Sequence, residues 1–342
     1  MKLNKILVLG LVTVMTTLTL VGCSTGKSNE KNESTKEKDS SSNIKVAMIT
    51  DSEEGNNTFI NKGALSGLNK AKNELDVDVQ TLDVKKSDEI SKELESLCEE
   101  KPQLIIGVGS RFANDIKSFA SKYPKQQFAI VDYKYEEQPS NVTSIVFDDN
   151  ISAYLAGFIA QKMTETGTVG FIGGLEGEVR LKNEAGFKAG VLEAGENARP
   201  VVTKYVDVFS NPESAKDAAR DMIENDGVDV IFSATEDDGK GAIEVAKETG
   251  KKAIGFNGDQ SSLDADRVLS STIKNVDIPI YNLLNSLVTG EFKGGQVIEN
   301  TLDMNAVGIS SSSDKNIPPD VLESIKSILE KVKDEEIAVP EK

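Results

Sequence analysis

Three polar residues of this 342-residue chain stand where short apolar runs end. Asp51 follows Ile44 to Thr50, Asp132 closes Phe128 to Asp132, and Asn257 follows Ala253 to Phe256, while Gly109-Ser110 and Gly173-Gly174 follow two further runs. Taken singly, each of these residues could as well cap a helix or make a turn. Taken together they fall on one face, because ligands of open parallel sheets sit beyond the carboxyl ends of the strands. The chemistry they suit is capture. A carboxylate accepts hydrogen bonds from a ligand's N–H and O–H groups, and neither aspartate has a basic or histidine partner in view along the sequence. The chain has no histidine at all, which removes Ser/His and Cys/His nucleophile pairs and the usual zinc sites. After the first run, Ser52-Glu53-Glu54 stands where a glycine-rich phosphate loop would be and repels phosphate. The reading is therefore of a binding protein with no enzymatic activity, no metal and no cofactor.

Residues so placed need strands with helices between them. From residue 44 onward, β-branched runs alternate with amphipathic stretches, the pattern of βαβ units and parallel sheets. Strands are predicted at Ile44 to Thr50, Val77 to Val84, Leu104 to Gly109, Phe128 to Asp132 and Val142 to Phe147, with helices near Thr58 to Leu75, Ser87 to Glu100 and Arg111 to Tyr123. A second set follows: a helix from about Ile151 to Thr166, then strands Val169 to Ile172, Val201 to Val208, Val228 to Ala234 and Ala253 to Phe256. The tail adds a strand at Val268 to Ile273, a helix at Ile278 to Thr289, a strand near Val297 to Leu302 and a helix from Pro318 to Lys333. One core rarely grows to this size, so the pattern implies an α/β protein of two lobes, each a parallel sheet flanked by helices, with the tail crossing between them to make a hinge. The expected boundaries are 44–147 plus about 274–296 for the N-terminal lobe and 148–273 plus about 297–342 for the C-terminal lobe.

The N-terminus reads as an export signal. Lys2 and Lys5 precede an apolar stretch from Ile6 to Val21, and Leu20-Val21-Gly22-Cys23 resembles a lipobox, in which the cysteine is acylated and the chain is cut before it. Residues 1–22 are thus expected to be a lipoprotein signal peptide and Cys23 the lipidation site. Residues 23–43, almost all polar, are expected to be a disordered tether. This places the body on the extracytoplasmic face of the cell membrane, held by acyl chains. Cys98, within the apolar periodicity of Ile90, Leu94 and Leu97, reads as a core residue. With 56 acidic against 39 basic residues the net charge is -17, and loss of Lys2 and Lys5 takes it to -19. Such a surface repels nucleic acid and suits a soluble monomer.

Several segments, in order, resemble the basic membrane protein family. They include Ile49-Thr50-Asp51-Ser52 with Asn57-Thr58-Phe59, Phe128-Ala129-Ile130-Val131-Asp132, Val169-Gly170-Phe171-Ile172-Gly173-Gly174, Gly186-Phe187-Lys188-Ala189-Gly190, Gly258-Asp259-Gln260 and Ile273-Lys274-Asn275. That family comprises substrate-binding lipoproteins of ABC transporters, several of them nucleoside-binding, with a two-lobed periplasmic-binding-protein-like (type I) fold. The resemblance implies that Asp51 and Asp132 hold a base near Asn57, that Phe59 and Phe209 sandwich it, and that Gly239, Asn257 and Lys274 meet the sugar. It implies a purine nucleoside as ligand, permease and ATPase subunits as partners, and uptake as the role. The chain departs from the family pattern at Asn257, where the family has an aspartate, and at Glu236 and Asp237, where it has glycines. These departures leave open a second role on the same fold, a surface sensor or regulatory lipoprotein for a non-nucleoside ligand.

Overall fold

The computed structural model describes residues 44–342 except 52–57, 175–176, 196–197, 208–212 and 236–238. The proposed signal, the tether, Cys23, Asn57, Phe209, Glu236 and Asp237 lie outside the described residues.

The first lobe begins with β1 (Ile44–Asp51), α1 (Phe59–Glu74), β2 (Val77–Val84), α2 (Ile90–Glu100), β3 (Leu104–Val108), α3 (Ala113–Lys122), β4 (Gln127–Val131) and β5 (Val142–Phe147). α1 starts where Thr58 can cap it: the Thr58 side chain accepts from the Asn61 N–H at 3.2 Å. The chain then enters the second lobe as α4 (Asp149–Met163), β6 (Val169–Gly174), α5 (Glu178–Ala194), β7 (Val202–Val206), α6 (Ser214–Asn225), β8 (Val230–Ala234), α7 (Gly239–Thr249), β9 (Lys252–Gly255) and β10 (Val268–Lys274). It returns for α8 (Asp277–Thr289) and β11 (Val297–Asn300), and ends in the second lobe with β12 (Val307–Ile309) and α9 (Pro319–Lys333).

Two six-stranded sheets result, ordered β11-β5-β4-β3-β1-β2 and β12-β10-β9-β8-β6-β7. Every pairing is parallel except β10 with β12. Strands buried on both faces read as unbroken apolar runs, as in Leu104 to Val108. One boundary needs correction. Residues 297–300 do not belong with the second lobe, because β11 pairs with β5 in the first sheet, Val297 opposite Ser144 through Asn300 opposite Phe147. A short strand's apolar pattern states that it pairs, not with which edge.

The lobes are joined at Asp148, at Asn275-Val276 and at 301–306. These crossings are stitched together: the Asp148 N–H donates to Asn300 O at 3.2 Å, the Asn275 N–H to Ala306 O at 2.8 Å, and the Gly308 N–H to Ser152 Oγ at 2.9 Å.

α4 is buried along nearly its whole length, between the second sheet and α5. α5 approaches it backbone to backbone. A Cβ at Gly157, Gly186 or Gly190 would stand 2.0 Å from Phe187 O, 2.1 Å from Asn150 O or 1.9 Å from Tyr154 O. Main-chain neighbours cannot swing aside, so Gly190→Ala is expected to destabilise the protein by about 2 to 3 kcal/mol in urea unfolding. A loss under about 0.5 kcal/mol would show that the two helices can slide apart.

Candidate functional site

The site is built on strand ends. Asp132 directly follows β4 and turns left-handed there (φ 61°), its N–H donating to Ile145 O at 2.8 Å. Asn257, just past β9, does the same (φ 58°), its N–H held by Thr272 Oγ1 at 3.0 Å. Asp and Asn are the non-glycine residues that best tolerate this conformation, and it lifts their side chains out of the strand direction.

Lys274, the last residue of β10, organises the centre. Its ammonium donates to Asp132 Oδ2 at 2.9 Å and Oδ1 at 3.1 Å, and lies 2.9 and 3.1 Å from the oxygens of Asp149 in the first turn of α4. The Phe147 ring centroid is 5.1 Å away. The three charged side chains are only 1, 7 and 5 % exposed. Burial pushes the Asp149 carboxyl up to about 6, with Lys274 pulling the other way. Burial alone would lower the Lys274 pKa, but Asp132 and Asp149 together more than reverse that and hold it above its ordinary value.

The sign of the pH effect follows. With a folded pKa above the unfolded one, the folded state binds the Asp149 proton more tightly, so this group's contribution to stability falls as pH rises from about 4 to about 6 and is constant above. Asp149→Asn abolishes that contribution. The variant's stability relative to the parent is expected to improve by about 2 kcal/mol between pH 4 and pH 7 in paired urea titrations. A pH-independent difference would mean that Asp149 titrates normally.

The cluster contributes side chains to two cavities. One, of about 380 Å³, is lined by first-lobe residues Ser110, Asp132 and Phe147, by Asp149, and by Arg180 and Lys182 of α5. The other, of about 330 Å³, is lined by Phe59, Lys62, Asn257, Gly258 and Lys274. Here the lobes touch: the Phe59 ring at the head of α1 lies so close on Gly258 that a Cβ there would meet Phe59 Cδ1 at 2.2 Å.

Of the residues expected at the site, the structure thus brings Asp132 and Lys274 together, and gathers Phe59 and Asn257 beside them. Asp51 is placed differently, since its carboxylate forms a salt bridge with Arg111, which also donates to Ser87 Oγ. The expectation that the two aspartates lack basic partners is therefore wrong for both. The partners lie 60 and 142 positions away in sequence, where spacing cannot show them. Gly239 is buried at the head of α7, with its Cβ position 3.2 Å from Ser233 O. Asp149, Arg180 and Lys182 were not expected. Asp149 carried a readable signal, since Asp148-Asp149 directly follows β5, whereas Arg180 and Lys182 sit on a helix that the sequence pattern did not reveal.

Comparison with known proteins gives four findings. The family model described as ABC transporter substrate-binding protein PnrA-like matches residues 44–342. Basic membrane protein A of Borreliella afzelii is 33% identical over 302 residues, covering 86% of this chain and 91% of that protein. The ABC transporter nucleoside-binding protein BmpA of Lactococcus lactis is 28% identical over 320 residues, covering 87% and 90%. In fold, the chain resembles the crystal structure of an ABC transporter solute-binding protein from Aeropyrum pernix, with a TM-score of 0.75 at 23% identity over 87% of this chain and 94% of that one.

Proposed function

This chain belongs to the PnrA-like family of ABC transporter substrate-binding proteins, which bind and do not catalyse, and from that premise we propose that its cleft captures a purine nucleoside for uptake. The observation that carries the reading is that the boundary between the lobes offers three chemistries in two cavities, the acceptor Asp132 in one and the ring of Phe59 with the amide of Asn257 in the other. A nucleoside presents their complements, namely base N–H groups, a flat aromatic face and ribose hydroxyls. The relative named as nucleoside-binding supports it. Calorimetry with purine and pyrimidine nucleosides, free bases and ribose tests it. One-to-one binding of a purine nucleoside without binding of ribose is expected, and no heat with any nucleoside overturns it.

The same proposal holds the body at the membrane through lipid on Cys23 and the polar tether, as a monomer delivering ligand to a permease and an ATPase. Only the Cys23 thiol can carry the thioether lipid. Cys23→Ala is therefore expected to abolish incorporation of labelled fatty acid in cells, and persistent labelling would refute lipid anchoring.

A further inference from the structure

Two lysines are buried beside the cleft, and their circumstances differ. Lys274 is saturated, with two carboxylates at 2.9 to 3.1 Å. Lys182 of α5 has a side chain only 11 % exposed, yet its ammonium has no contact among the described residues shorter than 3.5 Å, the distance to Phe147 O. Its other contact is the Glu341 carboxylate on the C-terminal tail, at 3.8 Å. Asp148 and Asp149 feel its charge, but neither accepts a hydrogen bond from it. An ammonium carries three donors, and a buried donor left without a close acceptor is rare enough to call for an explanation.

We propose that Lys182 reads the ligand, donating from the wall of the 380 Å³ cavity to an oxygen of the bound molecule. The cavity supplies the reason, because Lys182 lines it together with Ser110, Asp132 and Asp149. An ammonium only donates and a carboxylate only accepts, so Lys182 and Asp132 together present both polarities to one ligand. The molecule they fit carries an acceptor oxygen and an N–H or O–H donor on the same face, and an amino group in place of that oxygen is rejected. Lys274, its donors already spent on Asp132 and Asp149, is left to hold the lobes. The identity of the oxygen rests on the nucleoside reading, under which it is a base carbonyl or a ribose hydroxyl.

The test crosses protein variants with ligand variants. Affinities of the parent, Lys182→Met and Lys182→Gln are measured by calorimetry for inosine, for purine riboside, which lacks the base carbonyl, and for the 2′-, 3′- and 5′-deoxy analogues. For one of these analogues, deleting the oxygen is expected to weaken the parent about tenfold or more and the variants hardly at all. Coupling to purine riboside assigns the base carbonyl, and coupling to a deoxy analogue assigns a hydroxyl. Variants that bind every ligand as the parent does, or lose all of them in equal proportion, overturn the proposal while leaving the nucleoside reading intact. If the parent binds no nucleoside, that reading falls and Lys182 is judged by acetic anhydride labelling of the free protein. Acetylation about tenfold faster at Lys182 than at Lys274 is expected, and equal rates overturn the proposal.

Discussion

Replacing Lys274 with methionine is expected to destabilise the ligand-free protein by about 3 to 5 kcal/mol, the usual cost of stripping one partner from a buried ion pair. Two carboxylates, 7 and 5 % exposed, would face each other across the hinge with their shared counter-ion gone. At the size of this protein the loss corresponds to a melting temperature lower by about 10 °C. Because the harm lies in the uncompensated carboxylates, acidification from pH 7 to pH 5 should recover part of it. The triple replacement Lys274→Met with Asp132→Asn and Asp149→Asn should be less unstable than Lys274→Met alone. Denaturant unfolding of the three proteins decides the matter. A Lys274→Met variant within 1 kcal/mol of the parent, or a triple variant worse than the single, would show that water screens the cluster.

Phe59→Ala is expected to weaken purine nucleoside binding by about 10- to 100-fold, the range for losing one stacking face, with little loss of stability. The ring is half-buried at the first residue of α1 and rests on the main chain of the opposite lobe rather than in either core. Gly258→Val attacks the same contact from the other side, since the added carbon would stand 2.2 Å from Phe59 Cδ1 and must displace the ring or part the lobes. If both variants act through one ring, the double variant binds no worse than Phe59→Ala. Strictly additive losses would mean that Gly258 serves binding by a separate route, and full affinity in Phe59→Ala would remove the ring from the site.

The strand ends were legible in the sequence because burial on both faces leaves a mark: runs such as Leu104 to Val108 and Phe128 to Val131 end abruptly at a polar residue or a glycine. That was enough to expect Asp132 and Asn257 just past strand ends, where the structure has them. The helices of the second lobe between β6 and β9 were not legible. α5 buries Lys182, Asn183 and three separate apolar positions on a face that also needs glycines, so its apolar periodicity is erased by the closeness of α4. Charge pairing was invisible for a different reason. Whether a carboxylate waits for a ligand or for a lysine 142 residues away depends on where the chain crosses between lobes, and local pattern carries no information about that.

Those crossings also bear on how the molecule comes into being. The first sheet contains β1 next to one edge and β11 at the other, so its strands span residues 44 to 300 in order of synthesis. A nascent chain that has reached only residue 273 carries a nearly finished second sheet beside a first lobe whose β5 edge is bare and whose α1 lacks its neighbour α8. An uncovered β5 edge offers a row of unpaired N–H and C=O groups to any passing strand. The earlier-made lobe is therefore the later to be sealed, and a chaperone that shields residues 142–147 until β11 arrives would guard the most exposed moment of this chain's assembly.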